Sequence, residues 1–291
     1  MASMRSIKRR KESVQSTQQI TKAMKLVSTV KLQRAKTRAE QSKSYFHSMY
    51  ATVKAILARA GSIRHPYLEA GDSPKKAIVL ITSNRGLAGG YNSNVIKLIT
   101  RSKELAREDC VVYAVGKKGK DALQKAGYEI AKDYSDAIEE PIYIDAMNIV
   151  KDVLADFADQ KVGEIYLGYT AFKNTVSHIP TLIRLLPVDP SDAQIDENND
   201  GLVDDKLLMN FEMEETEAIS LLIPKYMTSL IFGAMVEAVA SENGARMQAM
   251  DSATSNAEDM ISALSLQYNR ARQSSITQEL TEIIAGADAI G

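Results

Sequence analysis

The chain has 291 residues, of which 45% are hydrophobic and 25% charged, and its formal net charge is −1. This composition supplies enough apolar side chains for a core and excludes a wholly disordered or fibrous protein. A single cysteine, Cys110, excludes an internal disulfide, and no apolar run reaches the roughly 18 residues of a membrane span, so we expect a reducing compartment and membrane contact only through partners.

The charges are unevenly distributed along the chain. Residues 1–64 contain fifteen Lys and Arg residues against two Glu residues, a net charge of +13, which leaves −14 for the rest. This basic region favours an acidic partner. A nucleic acid, an anionic lipid and an acidic protein surface all meet that description, and charge does not distinguish them.

The first predicted element is one long helix. Residues 3–60 contain neither proline nor glycine and are rich in good helix formers. A seam with the three- and four-residue spacing of a coiled coil consists of Ala39, Ser42, Phe46, Met49, Val53, Ile56 and Ala60. A thinner stripe continues it toward the N-terminus through Ile7, Val14, Ile20, Met24 and Val27. At about 1.5 Å per residue, such a helix is roughly 85 Å long, so we expect most of it to protrude from any globular domain.

Short apolar runs then alternate with amphipathic stretches. We predict buried strands over residues 77–82, 110–115, 164–169 and 177–186. Covering helices are predicted over residues 94–107, 118–126 and 142–157. This alternation predicts a Rossmann-like α/β domain with a largely parallel sheet over residues 75–210.

Residues 216–288 again have helical composition, with one proline, Pro224, which either bends the helix or marks its start near Ile223. A second seam consists of Met250, Ala253, Ala257, Ile261, Leu264, Tyr268, Ala271 and Ser275. Because a protruding helix needs tertiary packing, each long helix is the other's expected partner. The predicted fold is therefore α/β, with a long antiparallel two-helix coiled coil formed by both termini, residues 1–60 and 216–288, and the α/β domain inserted between them.

Four segments carry a family resemblance. They read Gln-Ile-Thr-Lys-Ala-Met-Lys-Leu-Val at 19–27, Thr-Ser-Asn-Arg-Gly-Leu-Ala-Gly-Gly-Tyr-Asn at 82–92, Ala-Arg-Met-Gln-Ala-Met at 245–250, and Ile-Thr-Gln-Glu-Leu-Thr-Glu at 276–282 with Gly-Ala at 286–287. In this order they resemble the gamma subunit of bacterial F-type ATP synthases. The resemblance implies a central rotor shaft that couples ion-driven rotation to sequential change at catalytic sites on other subunits.

The resemblance also implies partners. They are the hexamer of alternating alpha and beta subunits, the epsilon subunit and the c ring of the membrane sector. It implies no catalytic site, no cofactor and no metal on this chain. It implies a peripheral position on the cytoplasmic face of the bacterial plasma membrane.

Specific contact residues follow from the resemblance. The residues that match the family's catch with the beta subunit are Arg272, Gln273, Thr277 and Glu279. The residues expected to oppose them on the other helix are Lys22, Met24 and Lys25. Ile283 and Ile284 match the tip that turns within the hexamer, and Phe211 and Glu212 match the stretch that touches the c ring.

The alternative function is a basic helical nucleic-acid-binding module. Only three aromatic residues lie in the basic region, which disfavours base stacking. The glycines at 86–90 fit neither a dinucleotide fingerprint nor a phosphate loop. A half-matching calcium loop at 196–207 has Leu207 where the bidentate glutamate belongs, so we expect no metal there.

Overall fold

The computed structural model describes residues 4–59, 65–188 and 215–288. Its α-helices are α1 (Met4–Arg59), α2 (Tyr91–Thr100), α3 (Lys117–Lys125), α4 (Tyr143–Ala158) and α5 (Glu215–Asp288). Its strands are β1 (Lys76–Ile81), β2 (Cys110–Val115), β3 (Glu129–Asp133), β4 (Glu164–Phe172) and β5 (His178–Leu186). A short 3₁₀ helix spans Ser135–Ile138.

The chain divides into two units, and each long helix contributes to both. Unit 1 comprises residues 1–29 and 246–291, and unit 2 comprises residues 30–245. Unit 1 pairs the first part of α1 with the last part of α5, and unit 2 contains the sheet. The fold class predicted from the sequence is confirmed. The division of the chain at residues 1–60, 75–210 and 216–288 stays a prediction.

The sheet of unit 2 has the strand order β3-β2-β1-β4-β5. Three neighbouring pairs are parallel, and only β4 and β5 pair antiparallel. The prediction for β2 is confirmed at both ends. The helix predicted over residues 94–107 is wrong in its second half, because α2 ends at Thr100 and Leu105 is buried outside it. β3 was not predicted, since its sequence carries charged residues and most of its side chains are exposed.

Alternate side chains of β1 enter two separate cores. Ala77, Val79 and Ile81 pack with residues of α4 and α5, whereas Ile78 and Leu80 pack with residues of α2 and α3. Because successive strand residues point to opposite faces, this arrangement requires an uninterrupted apolar strand. The sheet is therefore covered by helices on both faces.

Within unit 2, α5 is buried on most of its sides. Among the described residues, α5 is the one helix that contains a window long and apolar enough to cross a membrane, and half of that window is buried inside the structure. A core helix has this composition too. Pro224 lies inside α5, nine residues after its first residue, so the helix does not begin near Ile223. The Thr228 hydroxyl donates to the Pro224 carbonyl at 2.7 Å.

Candidate functional site

The two helices of unit 1 run antiparallel. Three side-chain contacts join ascending positions on α1 to descending positions on α5: Gln18 with Glu258 at 3.0 Å, Thr21 with Thr254 at 2.8 Å, and Lys25 with Asp251 at 2.5 Å. All three are polar. The register between the helices is therefore read directly from these pairs.

The predicted seam of α5 is confirmed. Every predicted member is buried or half-buried, namely Met250, Ala253, Ala257, Ile261, Leu264, Tyr268, Ala271 and Ser275. Beyond it, residues 276–287 are all exposed. The last turns of α5 thus bury no side chain against the rest of this chain.

The predicted stripe on α1 is wrong at two positions. Ile20 and Val27 are 60% and 58% exposed, whereas their neighbours Thr21 and Ser28 are 8% and 2% exposed. Ile7, Thr21 and Ser28 are buried and Val14 is half-buried, and these four positions follow one another at a strict seven-residue spacing. A heptad repeat fixes which helix face is buried, and here that face carries hydroxyl groups. Testing a seven-residue repeat that starts at Ile7 would have identified this buried face from the sequence.

The residues predicted to contact the beta subunit form two groups. Lys22 is exposed, and Met24 and Lys25 are half-buried. Arg272, Gln273, Thr277 and Glu279 are all exposed on α5. The prediction that the two groups oppose each other is wrong, because Lys25 is paired with Asp251. At about 1.5 Å of rise per residue, Arg272 lies roughly 30 Å farther along α5 than Asp251.

The exposed end of α5 carries an apolar stripe. Ile276, Leu280, Ile283 and Ile284 are all exposed, at spacings that place them on one face of the helix. Ile283 and Ile284 are thus available to a partner, as their predicted role requires. Phe211 and Glu212 lie outside the described residues.

Sequence reasoning missed a second apolar surface, on α1. Ile20, Leu26 and Val27 are exposed in unit 1, next to the exposed Lys22. Residues 4–29 carry seven Lys and Arg residues and one Glu, and the first turn of α1 contains no acidic residue. Positive charge at a helix N-terminus is electrostatically unfavourable. The exposed surface of α1 in unit 1 is therefore both basic and apolar, and it suits a partner that supplies acidic and apolar groups.

The turn after β1, which contains the glycines at 86–90, begins with residues that accept hydrogen bonds from the first amide groups of α3. Lys117 N donates to Asn84 Oδ1 at 3.0 Å, and Gly119 N donates to Thr82 Oγ1 at 2.9 Å. Lys118 N donates to the Ser83 carbonyl at 3.1 Å. A phosphate bound at the start of α3 would need these amide groups. The segment at 82–84 therefore acts as the cap of α3.

Buried ionisable groups in unit 2 stabilise the fold. Tyr113 and Tyr134 donate hydrogen bonds to Asp156 and Asp152. Burial, and then these bonds, raise the pKa of Tyr113 well above its usual value. Burial opposes ionisation of Asp156, but hydrogen bonds from Lys161 and Tyr113 lower its pKa overall. Within the described ranges no group of His, Cys, Asp and Glu could hold a metal ion, and the calcium-like residues 196–207 fall in the gap from 189 to 214.

Comparison with known proteins gives a consistent match. The family model described as ATP synthase matches residues 3–290. A curated ATP synthase gamma chain of Lachnoclostridium phytofermentans is 67% identical over 291 residues, covering 100% of both chains. One from Acetobacterium woodii, described as sodium ion specific, is 37% identical over 295 residues, covering 98% of this chain and 97% of its own.

Two solved structures share the fold. A chain of the Euglena gracilis mitochondrial ATP synthase, in its OSCP/F1/c-ring assembly, aligns with a TM-score of 0.69 at 21% identity, covering 99% of this chain and 94% of its own. A chain of the Tetrahymena thermophila mitochondrial ATP synthase, in its central stalk and c ring, aligns with a TM-score of 0.58 at 22% identity, covering 80% of this chain and 99% of its own.

Proposed function

This chain belongs to the ATP synthase gamma-chain family, and we propose that it is the central shaft of a bacterial rotary ATP synthase, coupling ion-driven rotation to ATP synthesis or hydrolysis on other subunits. The observation that carries the proposal is the 67% identity to a curated gamma chain over the full length of both chains. Because the match extends over the full length of both chains, it includes every segment through which the relative could contact its partners.

The unequal sides of unit 1 supply a physical mechanism. The α1 side carries Lys22 with exposed Ile20, Leu26 and Val27, whereas the facing part of α5 carries Asp251 and Glu258. Three equivalent catalytic sites around such a rod cannot all touch the same side of it. A contact that differs among the sites shifts their conformations differently, so rotation takes each site through the states in turn.

The proposed partners are the alpha and beta subunits around unit 1, and the epsilon subunit and c ring at unit 2. The contact residues proposed on α1 are Lys22, Met24 and Lys25. Those proposed on α5 are Arg272, Gln273, Thr277 and Glu279, with Ile283 and Ile284 at the end and Phe211 and Glu212 for the c ring. The α1 group around Met24 and the α5 group around Arg272 lie roughly 30 Å apart along unit 1, by helical rise. The two groups would therefore contact different parts of the hexamer.

Weak, exposed ion pairs suit a shaft that must keep turning. An exposed ion pair contributes about 0 to 1 kcal/mol, which does not trap the shaft at one angle. Lys25 is already paired with Asp251, both with partly exposed side chains, so it would meet a partner as half of a nearly neutral pair. Lys22 would instead present a full positive charge to an acidic loop of a partner subunit.

We propose that the chain has no catalytic site and no cofactor of its own. The first amide groups of α3 support this at one candidate position, because they already donate to Asn84 and Thr82 and are not available to a phosphate there. The bacterial relatives support a peripheral place on the cytoplasmic face of the plasma membrane.

Purification of the tagged chain from its own membranes tests the proposal. We expect co-purification with six larger subunits in fixed proportion, and no ATP turnover by the isolated chain. Met24→Lys should slow turnover of the assembly by adding a cation beside an acidic loop, whereas Lys125→Met, on α3, should not. Salt-sensitive binding of the isolated chain to DNA or RNA at physiological salt, with no such subunits bound, would instead favour the nucleic-acid module.

A further inference from the structure

The start of α4 presents large apolar side chains to solvent. Ile142, Ile144 and Met147 are 52%, 56% and 47% exposed. The buried residues of this helix are different ones, namely Ala146, Ile149, Val150, Val153 and Phe157. Ile144 and Met147 are three positions apart and therefore neighbours on the helix surface. Three such residues within six positions form an apolar patch that neither core of unit 2 uses.

Helix stability does not explain why Ile142 is there. Ile142 occupies the N-cap of α4, a position that favours Ser, Thr, Asp or Asn because their side chains accept hydrogen bonds from the first helical amides. Isoleucine offers no acceptor. The only capping interaction of this kind runs the other way, from Ile142 N to Asp145 Oδ2 at 3.1 Å. An exposed isoleucine at a cap position instead favours a role in contact with a partner.

The patch has an acidic border. Residues 134–148 contain four acidic residues, Asp136, Glu139, Glu140 and Asp145, and no Lys or Arg. Asp136, Glu139 and Glu140 are exposed. Glu139 and Arg85 are 3.9 Å apart with both side chains exposed, a contact that contributes little. A second cation, Arg38, donates to the Pro141 carbonyl within the border. The four acidic residues outnumber these two arginines, so the border keeps a net negative charge toward solvent.

This combination selects the chemistry of the occupant. An anionic membrane surface and a nucleic-acid backbone would both be repelled by the acidic border. A protein segment with Lys or Arg beside apolar side chains would complement both features. A helix presents such residues at the same three- and four-residue spacing as Ile144 and Met147.

We propose that the first two turns of α4, with the acidic segment 134–141 before them, form a docking surface for a basic amphipathic helix of another subunit of the assembly. The proposal rests on the proposed function in one respect, which is that the partner belongs to an ATP synthase. Pro141 helps to fix the surface in unit 2, since its carbonyl accepts a hydrogen bond from Arg38 Nη1 at 3.5 Å.

Photo-cross-linking in the purified assembly identifies the occupant. The photoreactive residue p-benzoylphenylalanine replaces Ile144 in one sample and Lys125 in a control, because Lys125 lies on α3 at the other face of the sheet. After irradiation, mass spectrometry maps the joined peptides. We expect Ile144, and not Lys125, to yield a product with a helical segment of another subunit in which Lys and Arg exceed Asp and Glu.

A second arm separates contact from folding. With the photoreactive residue at Ile142, the double change Ile144→Asp and Met147→Asp should lower the yield of the same product about tenfold or more, whereas Ile144→Leu should preserve it. A product with an acidic segment, a lipid or a second copy of this chain overturns the proposal, and so does an assembly that forms without any such product. Absence of the chain from every larger assembly contradicts the proposed function as well.

Discussion

Thr21 and Thr254 share a hydrogen bond of 2.8 Å between the two helices of unit 1. Each hydroxyl also contacts a carbonyl of its own helix, that of Gln18 or Met250, at 3.0 and 2.7 Å. A polar pair within a seam defines register, because sliding one helix by a turn would separate the two hydroxyls and break the hydrogen bond between them. The hydroxyl pair therefore contributes alignment more than burial.

This register predicts where a disulfide can form. Thr21→Cys with Thr254→Cys should cross-link rapidly under mild oxidation, as detected by mobility on a non-reducing gel. The control pair, Met24→Cys with Arg272→Cys, should not, because its members lie roughly 30 Å apart along the rod. Background from Cys110 should be small, since that thiol is buried. Equal rates for the two pairs would show that the register is wrong.

Shortening the chain should separate stability from coupling. Removal of residues 282–291 should change the unfolding free energy of the isolated chain by less than about 0.5 kcal/mol, because residues 282–287 are exposed and exposed residues contribute little. Leu264→Ala, in the buried seam, should cost about 2 to 3 kcal/mol. Urea unfolding followed by circular dichroism gives both values. The shortened chain should still assemble but couple rotation less well, and failure to assemble would assign a structural role to the tip.

Gly116→Ala should be severely destabilising. Gly116 has a φ of +118°, and a Cβ atom there would lie 2.1 Å from the Thr82 carbonyl oxygen. Left-handed strain and the backbone clash together should cost about 3 kcal/mol or more. Gly86→Ala is the matched control, since the nearest atom to a Cβ at Gly86 is 3.9 Å away. Similar melting temperatures for the two variants would contradict this account of the turn.

Acidification should weaken the fold through two histidines. Burial lowers the pKa of His65 and of His178 below the ordinary 6.5. Between 6.5 and each lower folded-state value the unfolded chain binds more protons, so the stability present above about pH 6.5 falls as pH drops through that window. His178→Gln should reduce the stability lost between about pH 7 and pH 5. An unchanged pH dependence in this variant would contradict a contribution from His178.

The carboxylates provide an independent pH window. Hydrogen bonds from Lys120 and Ser135 outweigh burial and lower the pKa of Asp133, so its contribution should persist until the pH falls below about 4. Asp133→Asn should therefore flatten the acid limb of the stability profile without altering the histidine limb. Measurement of unfolding midpoints across pH distinguishes the two.

The Cys110 thiol should be unreactive in the folded chain. Burial raises its pKa to about 11, so little thiolate exists near neutral pH. A disulfide reagent at pH near 8 should modify it at least about a hundredfold more slowly in native buffer than in urea. Rapid native reaction would show that the start of β2 opens.

Sequence patterns predicted elements whose burial is regular. The apolar run of β2 and the seam from Met250 to Ser275 needed no knowledge of their partners, because their own spacing is unambiguous. The stripe on α1 differed, since Ile20 and Val27 are more apolar than Thr21 and Ser28 but lie on the wrong face. Hydrophobicity misidentifies a seam that buries hydroxyls, whereas the seven-residue spacing does not. β3 was missed because an edge strand with exposed charges lacks an apolar run.

The candidate site was only partly accessible to such reasoning. Family resemblance supplied Lys22, Met24 and Arg272, but the opposition between the two groups depended on a helix register that only the cross-helix contacts define. The docking surface on α4 was not predicted, because exposed apolar residues at a helix start look like core residues until the core face is known.

The contacts that align unit 1 join positions 226 to 240 residues apart in the chain. The ribosome therefore synthesises the α1 part of unit 1 long before the α5 part. A helix without its packing partner is at best marginally formed. The shaft is consequently the last part of the molecule that can be completed. A premature stop near codon 246, which removes the whole α5 part of unit 1, would leave the nascent N-terminal segment without its packing partner.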